Sequence, residues 1–275
     1  MKLWPCTLLL TALLLALPVA LLAGGDNNPI GGRSAGMAHA SVTLSDLWSV
    51  HHNQAGLAFV EKPEAGLFSE SRFLVPGVGL RGLVAAIPTS SGTFGVTLSQ
   101  FGFSSYNESK VGLAFARKFG ENLSFGLQLD YLRTHIAENY GNRNMLSVEL
   151  GVLAKLSDDL TFGAHVYNPN RAKISDFNDE RTPAIMRMGF NYRFSEKVII
   201  AIETEKDIDF KPVFKAGIEY HITKPLYLRT GIASNPFLNS YGFGLELKQF
   251  KFDFATSYHA TLGYTPHLSI SYAFK

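Results

Sequence analysis

His267-Leu268-Ser269-Ile270-Ser271-Tyr272-Ala273-Phe274 decides how the chain folds. In an extended backbone successive side chains point to opposite faces, so Leu268, Ile270, Tyr272 and Phe274 share one face. His267, Ser269, Ser271 and Ala273 share the other. The stretch is a two-sided strand with bulky apolar groups on one side and small or polar groups on the other. The same period of two recurs upstream. Phe252, Phe254 and Tyr258 oppose Lys251, Asp253, Ala255 and Ser257. Tyr241, Phe243, Leu245 and Leu247 oppose Gly242, Gly244, Glu246 and Lys248. Met188, Phe190, Tyr192 and Phe194 oppose Arg187, Gly189, Asn191 and Arg193. Leu123, Phe125, Leu127, Leu129 and Tyr131 oppose Ser124, Gly126, Gln128 and Asp130.

Alternation alone also suits a soluble sandwich, whose apolar face is a core. Three features favour the opposite arrangement, apolar face to lipid and polar face to a lumen. The polar face is rich in glycine and carries charges of both signs, as a crowded interior would. Tyr and Phe recur near strand ends, where interfacial girdles sit. No helical periodicity follows the amino-terminal apolar run. About fourteen strands fit between Ala65 and Phe274, and their connections alternate short and long. Short ones fall at Thr89-Ser90, Phe119-Glu121, Ser157-Asp158, Ser195-Glu196, Thr223-Lys224 and Gln249-Phe250. Longer ones fall at Ser104–Ser109, His135–Arg143, Asn168–Thr182, Asp207–Lys211, Asn235–Asn239 and Ala260–Pro266. Short periplasmic turns and longer external loops are the rhythm of outer-membrane barrels. The expected fold is therefore all-β: a transmembrane antiparallel β-barrel of about 14 strands.

Met1-Lys2, the apolar run from Thr7 to Ala23 and the small residues Ala23-Gly24-Gly25 have the form of a secretory signal peptide, assigned to residues 1–25. The only cysteine, Cys6, lies within it. Residues 26–62 do not alternate and form an expected plug or hatch, and residues 63–275 form the barrel. The implied location is the outer membrane of a gram-negative bacterium, reached through the periplasm. Barrel-assembly machinery and outer-membrane lipid are the expected partners. Leu268, Ile270, Tyr272 and Phe274 are the expected assembly signal. A formal net charge of +2 gives no reason to expect nucleic acid as a partner.

The segment Gly31 to Ala58 contains Gly31-Gly32-Arg33-Ser34-Ala35-Gly36-Met37 and Asn53-Gln54-Ala55-Gly56-Leu57-Ala58. It resembles the start of FadL-like barrels and of the PorV/PorQ family of outer-membrane proteins. The later segments Glu203–Asp207, Ala216–Tyr220, Leu228–Gly231 and Leu262-Gly263 resemble them too. The resemblance covers essentially all of the chain after the leader, through individually loose motifs. It implies a fourteen-stranded barrel with an amino-terminal hatch, to which Gly31, Gly32, Arg33, Asn53, Gln54, Ala55 and Gly56 would belong. Gln54 stands where the family usually has proline, which places the inherited hatch geometry in question.

No catalytic or metal-binding constellation is legible, and no cofactor is expected. The histidines are scattered without zinc-ligand spacing. Ser257 and His259 share a strand face but lack an orienting third group. Asp130, Arg187, Lys215, Glu219, Arg229 and Glu246 fall on the lumen parity, as do Arg193 and Lys248. Pairing across a filled lumen is the expected role of these charges, ahead of a permeation path. Short external loops and a filled interior favour a non-enzymatic scaffold of PorV/PorQ type, with secretion-system proteins as partners in a type IX-like process. The alternative is a FadL-like channel for a hydrophobic small molecule.

Overall fold

The computed structural model describes residues 27–137, 141–172 and 181–275; the leader assigned to 1–25 lies outside them. Fourteen antiparallel strands close into one barrel. They are β1 (Glu64–Ser71), β2 (Gly79–Thr89), β3 (Gly92–Phe103), β4 (Tyr106–Phe119), β5 (Leu123–Ile136), β6 (Gly141–Lys155) and β7 (Leu160–Tyr167). The circuit continues through β8 (Ile185–Ser195), β9 (Val198–Asp207), β10 (Val213–Thr223), β11 (Leu226–Ala233), β12 (Leu238–Leu247), β13 (Phe250–His259) and β14 (Gly263–Ala273). Each strand pairs with its sequence neighbours, and β14 returns to β1 with Ile270 opposite Leu67 and Tyr272 opposite Ala65. Closure leaves no strand edge for lipid to satisfy.

The outward faces carry the apolar residues. Leu113, Leu129, Leu146, Met188, Ile202, Tyr241 and Leu268 are all more than half exposed. In water such a surface would be a liability; in a bilayer it is the solvent-matched wall. The inward faces carry Ser124, Gln128, Asp130, Glu149, Glu219, Arg229 and Ser269, all buried. No helix among the described residues is long and apolar enough to cross a membrane, so strands do the crossing. Aromatic pairs lie near the turn that carries both chain ends: Phe250 and Tyr272 at 4.8 Å, Tyr272 and Phe274 at 4.9 Å.

At that end the connections are residues 90–91, 120–122, 156–159, 196–197, 224–225 and 248–249. At the other they are 72–78, 104–105, 137–140, 168–184, 208–212, 234–237 and 260–262. The second set is longer on the whole, which makes it the external one. Several expected loops shrink, however. Ser104–Ser109 becomes a tight turn with Tyr106 to Ser109 inside β4. His135 and residues 263–266 likewise join strands, and β12 begins at Leu238. Apolar alternation fades where strands rise past the hydrocarbon, but the backbone ladder continues, because unpaired N–H and C=O groups are costly wherever they are buried. Sequence pattern therefore ends a strand earlier than hydrogen bonding does.

Inside the barrel lie three short helical pieces: α1 (Gly32–Gly36), α2 (Ser49–His52) and a 3-10 turn over Gln54–Phe59. α1 packs on β11–β14, and the 3-10 turn packs on β3–β6. None is long enough to be stable alone; burial holds them. Ile30, Leu47, Trp48, Val50 and Leu57 form an apolar core with the inward Phe68, Leu80, Val84, Ala86 and Ala114. Each large side chain so buried contributes about 1.5–3 kcal/mol. Glycine on the lumen wall makes the close approach possible. A Cβ at Gly126 would overlap the backbone of Gln54 and Ala55, and one at Gly231 would overlap that of Met37.

Candidate functional site: the occluded lumen and its outer cleft

Three sets of charges hold the internal segment to the wall. In the first, Arg33 from α1 reaches β10. Its Nε donates to Glu219 Oε2 at 2.9 Å and its Nη2 to Glu219 Oε1 at 2.7 Å, a two-pronged match of guanidinium and carboxylate. Arg33 also pairs with Asp46 of its own segment at 2.9 Å. Arg229 on β11 bridges Glu219 and Asp253 at 2.6 Å each. Burial would lower the Arg33 pKa, but the nearby Glu219 and Asp46 outweigh it and raise it above the ordinary guanidinium range.

In the second cluster the wall supplies every charge. Lys110 on β4 pairs with Glu149 on β6 and lies 3.5 Å from Asp130 on β5. His165 Nε2 lies 2.8 Å from Glu149 Oε2. The internal segment adds only neutral groups: Asn27 Oδ1 accepts from Lys110 Nζ at 3.2 Å, and Gln54 Nε2 donates to Glu149 Oε2 at 2.7 Å and to Val50 O at 3.2 Å. A third set lies between them. Glu203 accepts the backbone amides of Ser41 and Val42 at 2.8 Å each, while Lys215 bridges Glu203 and Glu205, and Arg187 meets Glu205 at 2.7 Å.

Asn53 is fully buried. Its amide donates to Val42 O at 2.7 Å and Val152 O at 3.0 Å, and its carbonyl accepts from Ala55 N. Its backbone is extended (φ −164°, ψ 101°), the conformation a following proline would require. Gln54 thus departs from the proline pattern in its side chain and its amide, while the preceding backbone remains compatible. Gly31 has φ 103° and lies against the Trp48 ring, so no other residue fits there without strain. Gly32 donates its amide to Ser269 Oγ at 3.0 Å, and Ala55 and Gly56 are buried in the 3-10 turn.

Of the charges marked in the sequence, Asp130, Arg187, Lys215, Glu219 and Arg229 enter these buried networks. Glu246 does not: it is 37 % exposed, accepts from the Tyr227 hydroxyl at 2.8 Å and sits 3.9 Å from Lys251 near the periplasmic end. Arg193 and Lys248 are exposed at the short-turn rim, because their strands reach water there. Lys110 was not marked in the sequence, although it opens the stretch after the Ser104–Ser109 loop on the same parity as Gly112 and Ala114. Ser257 does not pair with His259. Its Oγ lies 3.2 Å from His267 Nε2, whose Nδ1 is 3.6 Å from Glu70. His267 packs on the rings of Phe68 and His39, and Ser257, His267 and Glu70 line none of the lumen cavities described below. Among the described residues no group of His, Cys, Asp or Glu is arranged to hold a metal ion.

The remaining space is divided. A cleft of about 420 Å³ opens at the external end, between Pro29, Ala38 and His39 of the internal segment and Ile185, Phe210, Val213, Pro236 and Leu238 of the wall and loops. Arg187, Glu205 and Lys215 lie at its base. Deeper, a void of about 30 Å³ lies beside His51, Lys110 and Tyr167. At the periplasmic end a cavity of about 190 Å³ is bounded by Arg33, Trp48, Tyr227, Arg229 and Glu246. Buried residues of α2 and the 3-10 turn lie between. Burial keeps His51 and His52 neutral. His51 is further lowered by Lys110, and His52 falls to about 3 with Arg187 adding to the effect.

No protein-family model matches the sequence, and no curated protein does. Solved structures do match. The CymD monoaromatic hydrocarbon channel aligns over 91% of this chain and 99% of its own, with TM-score 0.72 and 14% identity. The Ralstonia pickettii toluene transporter TbuX aligns over 89% and 98%, with TM-score 0.72 and 12% identity. A Pseudomonas aeruginosa FadL homologue aligns over 92% and 100%, with TM-score 0.65 and 13% identity. At such identities the likeness is one of fold, and the chain has the fourteen-stranded fold of the outer-membrane hydrocarbon channels.

Proposed function

We propose that the protein is an uptake channel for a small hydrophobic molecule, with residues 27–62 as its plug. The observation that carries this reading is the external cleft. Its walls carry an apolar strip of Ile185, Phe210, Val213, Pro236 and Leu238 among the charged Arg181, Asp207, Asp209 and Lys211, its volume suits a small molecule, and the internal segment closes one side. The shared fold with hydrocarbon channels supports the same reading and suggests a monoaromatic hydrocarbon as the first solute to try. Val213 and Leu238 face the cleft from β10 and β12. Replacing both by Asp should abolish uptake of radiolabelled toluene by cells relying on this protein, with the barrel still heat-modifiable on gels. Unchanged uptake would remove the cleft from the path.

The filled lumen and the short external connections at 104–105, 208–212, 234–237 and 260–262 favour a second reading, a PorV/PorQ-like scaffold in protein secretion. It expects no hydrocarbon uptake in the same assay, and a secretion component that co-purifies with the intact protein.

A further inference from the structure

The external half of the outer wall is not uniformly apolar. On β1–β6, one register row of outward side chains is wholly apolar or aromatic: Leu67, Leu83, Leu98, Val111, Tyr131 and Leu146 face one another strand by strand. Two residues further toward the external strand ends, the adjoining row changes character. It reads Ser69, Arg81, Gln100, Ser109, Arg133 and Asn144, again in unbroken register. Arg81, Gln100, Arg133 and Asn144 are exposed. The outward parity of β1–β6 holds no Asp or Glu that could neutralise the two arginines. A groove of about 770 Å³ runs along this wall. Leu67, Leu83, Leu98, Val111, Leu268 and Ile270 form its apolar floor, and Ser69, Arg81, Gln100 and Ser109 form its head.

The opposite wall provides the comparison. A second outward groove, of about 530 Å³, is bordered by Met188, Phe190, Ile202, Phe214, Ile232 and Phe237, and the one outward cation beyond it, Lys206, donates to the carbonyls of Ile208 and Phe210. An apolar trough suits an acyl chain in either place. Only the β1–β4 trough ends in guanidinium and amide donors, which match phosphate oxygens.

We infer that the β1–β6 wall is a docking site for a phosphate-bearing lipid of the outer leaflet, its acyl chain in the groove and its phosphate on Arg81. Arg133 lies three strands away, about 14 Å at the usual strand spacing, and receives a second anionic group of the same headgroup. Ser109 and Gln100 fill the interval with neutral donors. The site faces lipid, away from the lumen, and is independent of what the channel carries.

Native mass spectrometry of the purified full-length protein tests this, with a bisphosphorylated lipid A and its phosphatase-treated form as probes. The wild-type protein should retain the phosphorylated form at least tenfold more than the treated one. R81A/R133A should lose that preference, while R117A, on the same outward face at the periplasmic end of β4, should keep it. Equal retention of the two lipids by wild type would overturn the site without recourse to any variant. Undiminished preference in a heat-modifiable R81A/R133A barrel would overturn the assignment to these arginines.

Discussion

Two of the charge clusters in the lumen grip the same internal segment in different ways. At β10–β13, Arg33 is part of the balance. Without it, Glu219 and Asp253 would share Arg229, and Asp46 would lose its ion pair. At β4–β7, Lys110, Asp130, Glu149 and His165 pair with one another on the wall, with Asp130 Oδ2 and His165 Nδ1 left without a hydrogen bond, and the segment contributes only the neutral amides of Asn27 and Gln54. A buried charge without its partner costs several kcal/mol, whereas a neutral hydrogen bond contributes about 1 kcal/mol net. The α1 end of the segment is therefore the anchored end. The Gln54 end is held by neutral hydrogen bonds, packing and glycine clearance, and is the end that can be released at lower cost.

Charge reversal tests the first cluster hardest. Arg229→Glu leaves Arg33 alone among Glu219, Asp253, Asp46 and the new acid, and should cost about 5 kcal/mol or more. Thermal unfolding in detergent should show a large drop or no folded barrel. A stable barrel whose ion selectivity has changed would mean that water reaches this cluster freely. Arg33→Ala removes the anchor itself and should cost about 3 kcal/mol, with higher single-channel conductance in planar bilayers as the segment loosens. Conductance equal to wild type would erase the distinction between the two ends.

Acid should act on the stretch between the clusters. His51 and His52 are neutral in the folded protein with lowered pKa values, so the unfolded or released segment binds more protons below pH 6.5. Their stability contribution is complete above pH 6.5 and is lost as the pH falls toward about 3 for His52. At about pH 5.5 each histidine should cost roughly 1.4 kcal/mol, read as a lower unfolding midpoint that His52→Gln partly restores. The smallest effect belongs to the second cluster. Gln54→Ala should cost about 1 kcal/mol and leave conductance close to wild type. A penalty matching that of Arg33→Ala would show that both ends anchor the segment equally.

The barrel was legible because its pattern is local. Leu268, Ile270, Tyr272 and Phe274 alternate with His267, Ser269 and Ser271 whatever lies elsewhere in the chain, and lipid requires that alternation of every spanning strand. Strand number and the pairing of the last strand with the first follow from the same periodicity. Strand ends did not, as Tyr106 to Ser109 show: beyond the hydrocarbon, side chains stop reporting what the backbone ladder does. The lumen was half legible. Parity marked Glu219 and Arg229 as inward and a glycine-rich face as a crowded interior, while the close approach of the internal segment to the glycines at 126, 151, 217 and 231 came from the structure. Which partners those charges take, and that Arg33 completes one cluster while Gln54 merely touches the other, was decided by tertiary structure alone. Those contacts join residues 186 and 95 positions apart, and no local period in a sequence carries the register that brings such distant groups together.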